Sequence, residues 1–252
     1  MLVAAAFCPH PPMLVPAVAS GAAPELEDLR KACDEVVSRL VRSGPAMILL
    51  LGSGRLTRAY DSGAHGTLDG FGLDSGLDGD PELPLSLTIG RWLLDRAQWG
   101  GSVLAHSITP GLPPAVAADL GWRLTAGAKR IAILAMGEGT ICRTEKAPGH
   151  FDPAAEAFDN KLRIALALGH PGALGEIDPD EAERLGVTAR APLQALAGAA
   201  AGGRWLGDVM YTDAPYGVGY LVAHWDREKS ARVAEGTESL EEKDEDSARG
   251  LP

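Results

Sequence analysis

With 252 residues and 46% hydrophobic side chains, the chain is long enough to bury a sizeable core, as one large α/β domain or two small ones. Its formal charge of −11 disfavours non-specific binding to nucleic acid or an anionic membrane, and no apolar run is long enough for a membrane span. Three cysteines (Cys8, Cys33 and Cys142) are too few for a disulfide framework or a structural zinc site, and no basic region precedes the short N-terminal apolar run as a secretory signal requires, so a cytoplasmic protein is expected.

Leu2 to Phe7 reads as a buried strand, stopped by the fixed backbone angles of Pro9, Pro11 and Pro12. His10 stands between those prolines at the carboxyl end of a central strand, where open α/β sheets bind ligands. An imidazole on a stiff turn loses little freedom on ligating a metal or substrate, although a rigid loop with an incidental histidine reads the same way. Pro24 to Arg42 carries apolar residues at helical spacing, with Glu25, Glu27 and Asp28 near its start, and predicts an amphipathic helix. Ala46 to Leu51 is a second strand-length apolar run, so the opening reads strand, helix, strand with parallel pairing.

From Gly52 to Pro84 glycine and aspartate dominate and the apolar period disappears, which predicts a long loop. Leu85 to Gln98 and Pro114 to Ala126 read as helices around a short strand at Ser102 to His106. Arg130 to Met136 is another buried strand, followed by a loop from Gly137 to Asp152 and a helix from Pro153 to Leu168. Shorter helices are expected at Asp178 to Leu185 and Pro192 to Ala200. Two closing strands, Arg204 to Thr212 and Val218 to Trp225, are joined by the turn Asp213 to Gly217. Asp226 to Pro252 holds nine acidic and five basic residues and almost no apolar ones, so it is expected to be disordered. The expected organisation is one α/β domain over 1–225, a largely parallel central sheet flanked by helices, and a charged tail over 226–252.

Polar residues able to do chemistry follow the apolar strands: His10, the Gly52-Ser53-Gly54-Arg55 turn, His106 and the Gly137 to His150 loop. Parallel pairing would bring such loops to one rim. Neither Gly52-Ser53-Gly54 nor Gly137-Glu138-Gly139 has the Lys-Ser/Thr of a P-loop, and flexible connection is the expected role of both. No Gly-x-Ser-x-Gly elbow is present. Cys142, with Arg143 and Lys146 nearby, is a candidate nucleophile, against the commoner role of an inert thiol. His65 and His150 are candidate ligands or solvated loop histidines, while His170 and His224 carry no readable signal.

The strand followed by Pro9-His10-Pro11-Pro12 resembles the opening of the class III (LigB-type) extradiol ring-cleavage dioxygenases and the related Memo-like proteins. The helix entry Ala147-Pro148-Gly149-His150-Phe151-Asp152, continuing to Glu156-Ala157-Phe158-Asp159, looks like a second family segment. The ending Ala214-Pro215-Tyr216-Gly217-Val218-Gly219-Tyr220 is similar to that of divergent bacterial members, so the resemblance spans about residues 1 to 225. It implies a LigB-like α/β fold and, in active members, Fe(II) held by two histidines and a carboxylate, with positions left for a catecholate and dioxygen. A further histidine acts as acid/base during ring cleavage in such members.

On that implication His10 matches the first metal ligand, and His65 and Asp213 are substitutes for the other two. Cys142, in Thr140-Ile141-Cys142-Arg143, stands at the acid/base position, with His150 a further catalytic candidate. The second-ligand turn reads Gly52-Ser53-Gly54-Arg55 where the family has a Ser-Pro-His-like turn. Iron affinity depends on several converging ligands, so Fe(II)-dependent cleavage of catechol-type aromatics competes with an iron-free reading. In the latter the protein is a binding or regulatory protein that holds a small aromatic or anionic ligand, with Arg55, Arg143 and His10 as polar contacts. A metal-dependent hydrolase with zinc at His10 is a third reading. Members of this fold often form dimers, which makes a homodimer a further expectation.

Overall fold

The computed structural model describes residues 1–73 and 82–228. Its strands are β1 (Leu2–Cys8), β2 (Met47–Ser53), β3 (Arg58–Tyr60), β4 (Ser102–Ile108), β5 (Ile131–Met136), β6 (Trp205–Asp213) and β7 (Tyr220–Arg227). The described residues form a seven-stranded sheet in the order β3-β4-β2-β5-β1-β7-β6. Its core, β4-β2-β5-β1, is parallel throughout, while β3 on one side and β7 and β6 on the other run antiparallel to their neighbours.

The helices are α1 (Pro16–Ala19), α2 (Glu27–Arg42), α3 (Leu85–Arg96), α4 (Pro114–Thr125), α5 (Ala155–Ala167), α6 (Pro171–Gly175), α7 (Pro179–Arg184) and α8 (Arg190–Ala200). They cover both faces of the sheet. Ala6, Cys8, Ile48, Leu50, Leu134 and Met136 face α2 and α3, whereas Phe7, Leu49, Leu51, Ile133 and Ala135 face α5 and α8. Strands covered on both sides must be apolar at every position, which is why β1, β2 and β5 are continuous hydrophobic runs without alternation. No helix of the described residues is long and apolar enough to cross a membrane.

Several boundaries differ from the sequence expectation. The Gly52 to Pro84 loop contains β3, an edge strand whose Arg58 and Ala59 are exposed; its backbone pairs with β4, so no apolar period marks it. The helix expected from Pro24 begins at Glu27, because Pro24 lies inside a 3-10 stretch over Ser20–Leu26 that precedes it. Strand β7 continues through Asp226 and Arg227, two residues past the expected end of the domain. The expected tail beyond Glu228 lies outside the described residues.

The turn Gly52-Ser53-Gly54 is a packed joint and not the flexible connection its composition predicts. A Cβ at Gly52 would stand 2.4 Å from Oγ of Ser86, and one at Gly54 would stand 2.7 Å from Cβ of Ser107. Ser86 in turn donates to the Ser53 carbonyl at 2.6 Å, fastening the start of α3 to the end of β2.

Candidate functional site

Strand β7 runs antiparallel to β1, with Ala223 opposite Phe7, so its beginning lies at the carboxyl end of β1. The loops after β1 and β5 and the turn before β7 therefore share one rim. His10 is set there by successive prolines. The Pro11 and Pro12 carbonyls accept from the amides of Leu14 and Val15 at 2.9 and 3.0 Å, making a tight 3-10 turn. Arg30 of α2, itself buried, donates from Nε to the Leu14 carbonyl at 2.9 Å and is charge-balanced by Glu27 at 2.6 Å. The imidazole is only 7% exposed, and its Nδ1 is buried without a hydrogen-bond partner.

The loop after β5 supplies the second element of the rim. The Gly137 amide donates to the Cys8 carbonyl at 3.1 Å, tying the end of β5 to that of β1. Glu138 follows. Its amide donates to Thr188 Oγ1 at 2.8 Å and its carbonyl accepts from the Ala189 amide at 3.0 Å, so its backbone is fixed while its side chain stays half-buried. Beyond it the Gly139 amide donates to the Gly219 carbonyl at 2.8 Å, and the Gly219 amide to the Thr140 carbonyl at 2.7 Å. Asp159 of α5 locks this crossing. It accepts from the Thr140 amide at 2.8 Å, from Thr140 Oγ1 at 2.9 Å and from Arg143 at 3.1 Å. The Gly137-Glu138-Gly139 segment is thus also held rigid, against the sequence expectation.

Burial pushes the His10 imidazole below its ordinary value, and the Glu138 carboxylate acts in the opposite sense with a smaller effect. The ring is neutral at pH 7, and its Nδ1 is available as donor or acceptor according to tautomer. Tyr220, buried at the start of β7, has its phenol pushed well up by burial, with the Glu138 carboxylate adding to the shift. It stays protonated. Beside them Tyr211 is pushed up to about 12 by burial with Asp213 adding to it, and the Tyr216 hydroxyl donates to Glu25 at 2.8 Å. The Glu138 carboxyl is thus near enough to act electrostatically on both the His10 imidazole and the Tyr220 phenol, which puts hydrogen-bond donors and acceptors on one rim.

The residues singled out from sequence are placed as follows. Cys142 is buried, and its Sγ donates to the Leu185 carbonyl at 3.6 Å. Burial first, and Asp152 second, push its thiol up, so the positive flank expected from Arg143 and Lys146 does not activate it. Arg143 is engaged by Asp159 at 3.1 Å and Glu156 at 3.6 Å. Arg55 and His150 are exposed on their loops. Asp213 is exposed, and its carboxylate accepts from the Ala214 amide at 2.7 Å. His65 borders a separate cavity with Arg91 and Trp92 of α3. His106 lies buried within β4, its Nδ1 2.9 Å from the Ser107 carbonyl. His170 caps α6, accepting from the Ala173 amide at 2.9 Å, and His224 is buried against Asp226 at 3.1 Å.

His10, His65 and Asp213 are not brought together. Among the described residues no three His, Cys, Asp or Glu side chains converge as a metal site. The donor set therefore does not fit an Fe(II) facial triad, which needs three such groups about one centre. Glu138, Tyr220 and Arg30 are the rim residues that sequence reasoning missed. Glu138 had a signal: it is the first titratable residue after the buried strand β5, as His10 is after β1.

No family model and no curated protein matches the chain. Among solved structures it is similar to an uncharacterized protein, JW3007 from Escherichia coli K12, with a TM-score of 0.52 and 16% identity, over 88% of this chain and 99% of that one.

Proposed function

We propose that this chain is a binding protein of LigB-like type whose rim site takes a small hydroxylated aromatic molecule and works without an iron triad. The observation that carries this reading is the buried, unpartnered Nδ1 of His10, with the Glu138 carboxyl near enough to act on the ring electrostatically. A buried polar nitrogen without a partner costs about 1–3 kcal/mol, which a ligand hydroxyl would recover. Glu138 accepts a hydrogen bond from one phenolic O–H and the Tyr220 O–H donates one to the other oxygen, so both edges of an aromatic diol find partners. An anion suits the site less well, because Arg143 is already paired and Arg55 is exposed. The cationic contacts expected of those two residues are not part of this reading.

The test is thermal stabilisation by catechol, held anaerobically to prevent its oxidation, with and without a chelator. Catechol should raise the melting temperature equally in both conditions, and H10A should abolish the rise while E138Q weakens it. At a hundredfold excess over Kd a ligand contributes about 2.7 kcal/mol, a shift easily read in such an assay. A rise lost on adding chelator would overturn this reading. Iron retained near one equivalent, with dioxygen consumed on catechol, would restore the dioxygenase, and a retained zinc the hydrolase.

A further inference from the structure

A separate cavity shares no lining residue with the His10, Glu138 and Tyr220 rim. Helix α3 turns Leu87, Gly90, Leu93 and Leu94 toward the sheet, leaving Thr88, Arg91, Trp92 and Asp95 on its outer face at spacings of three and four. The segment around His65 folds across that face. Its His65 carbonyl accepts from the amides of Glu82 and Leu83 at 3.0 and 3.1 Å, and Thr88 Oγ1 donates to the Pro84 carbonyl at 3.1 Å. Between segment and helix is a cavity of about 490 Å³, bordered among others by His65, Leu68, Leu83, Arg91, Trp92 and Asp95. That volume lies within the range of about 300–1,000 Å³ usual for small-molecule sites.

Two bordering side chains carry buried nitrogens with no hydrogen-bond partner among the described residues: Arg91 at Nε and Nη2, and His65 at Nε2. Nε and Nη2 form the side edge of a guanidinium, which meets the two oxygens of a carboxylate through parallel bonds. The same helix shows that pairing five residues on. Arg96 donates from Nε and Nη2 to the two carboxylate oxygens of Asp34, at 2.8 and 2.6 Å. Arg91 has the same edge, with no carboxylate paired to it among the described residues. Asp95, one turn along, borders the cavity at its exposed side and does not pair with Arg91. Leaving a guanidinium edge buried and unpaired is costly.

We infer that the cavity between α3 and the His65 segment binds a small carboxylic acid, its carboxylate on the Nε and Nη2 edge of Arg91 beside His65 and its apolar body against Trp92, Leu68 and Leu83. The half-buried indole and the two buried leucines give the body a surface that an inorganic anion would not use. Specificity then resides in the carboxylate, because a neutral amide of the same shape leaves one guanidinium N–H facing an N–H.

The full chain is titrated with phenylacetate, phenylacetamide and inorganic phosphate, reading both melting temperature and the Arg91 Nε–H resonance by nitrogen-edited NMR. Phenylacetate should stabilise the protein and move that resonance. Phenylacetamide and the R91K variant should each weaken binding about tenfold or more, since both break the two-point contact. H10A should leave phenylacetate binding unchanged, which separates this site from the rim. An unmoved Nε–H resonance, equal binding of the amide, or tighter binding of phosphate would each overturn the inference. The wild-type resonance decides the matter even if an Arg91 variant folds poorly.

Discussion

Asp159 shows how much of this rim depends on one side chain. Its carboxylate is buried and joins Thr140, Arg143 and, through Thr140, the crossing of Gly139 with Gly219. Both glycines are needed for that approach. A Cβ on Gly139 would stand 2.4 Å from one carboxylate oxygen, and one on Gly219 would stand 2.3 Å from the other. Removing the carboxylate strands a buried amide, a hydroxyl and part of a guanidinium. D159A should therefore lose about 2–4 kcal/mol of stability in urea denaturation, with D159N losing less. None of this was readable from Phe158-Asp159 in sequence, where an acid within a helix looks like an ordinary solvated residue.

At the scale of elements the tightest joint is between α4 and α8. A Cβ at Gly121 would fall 1.8 Å from the Ala195 carbonyl oxygen, and one at Gly198 would fall 1.8 Å from that of Ala118. The two helices touch backbone to backbone, so neither position has a flexible neighbour that can yield. G198A should cost about 3 kcal/mol or more through forced separation of the pair, whereas the same change at Gly175, where an added Cβ meets nothing within 4 Å, should cost little. Calorimetry of the two variants distinguishes these outcomes. Both helices were legible as apolar-periodic runs from Pro114 and Pro192. Their contact was not, because glycine in a helix weakens the local signal and shows its use only against a neighbour.

The whole molecule has a pH response that follows from its buried imidazoles. Burial holds His10, His106 and His224 below their ordinary values, outweighing the opposing effect of Glu138 on the first and Asp226 on the last. An unfolded chain then takes up protons first. Stability is fully present above the unfolded histidine value of about 6.5 and falls as pH drops through it toward the lowered folded values. Asp159 acts in the other sense, since burial raises its carboxyl and protonation favours the folded form, but in the acidic range below. The melting temperature should be flat near neutral pH and decline on acidification through the imidazole range, with a shallower decline in H224Q. A melting temperature that holds constant or rises over that range would contradict the assignment.

The order of elements could be read from the sequence, because strands covered on both faces must be continuous apolar runs and helices must repeat their apolar side every turn. The same logic placed His10 at a strand end, and prolines on either side made its stiffness visible. What the tertiary structure alone decided is which side chains meet. It brought Glu138 within electrostatic reach of both His10 and Tyr220, set His65 and Arg91 around one cavity, and left Asp213 exposed at the end of β6. Local pattern records whether a residue is buried. Convergence depends on strand order and loop path, which are set by contacts between residues far apart in the chain.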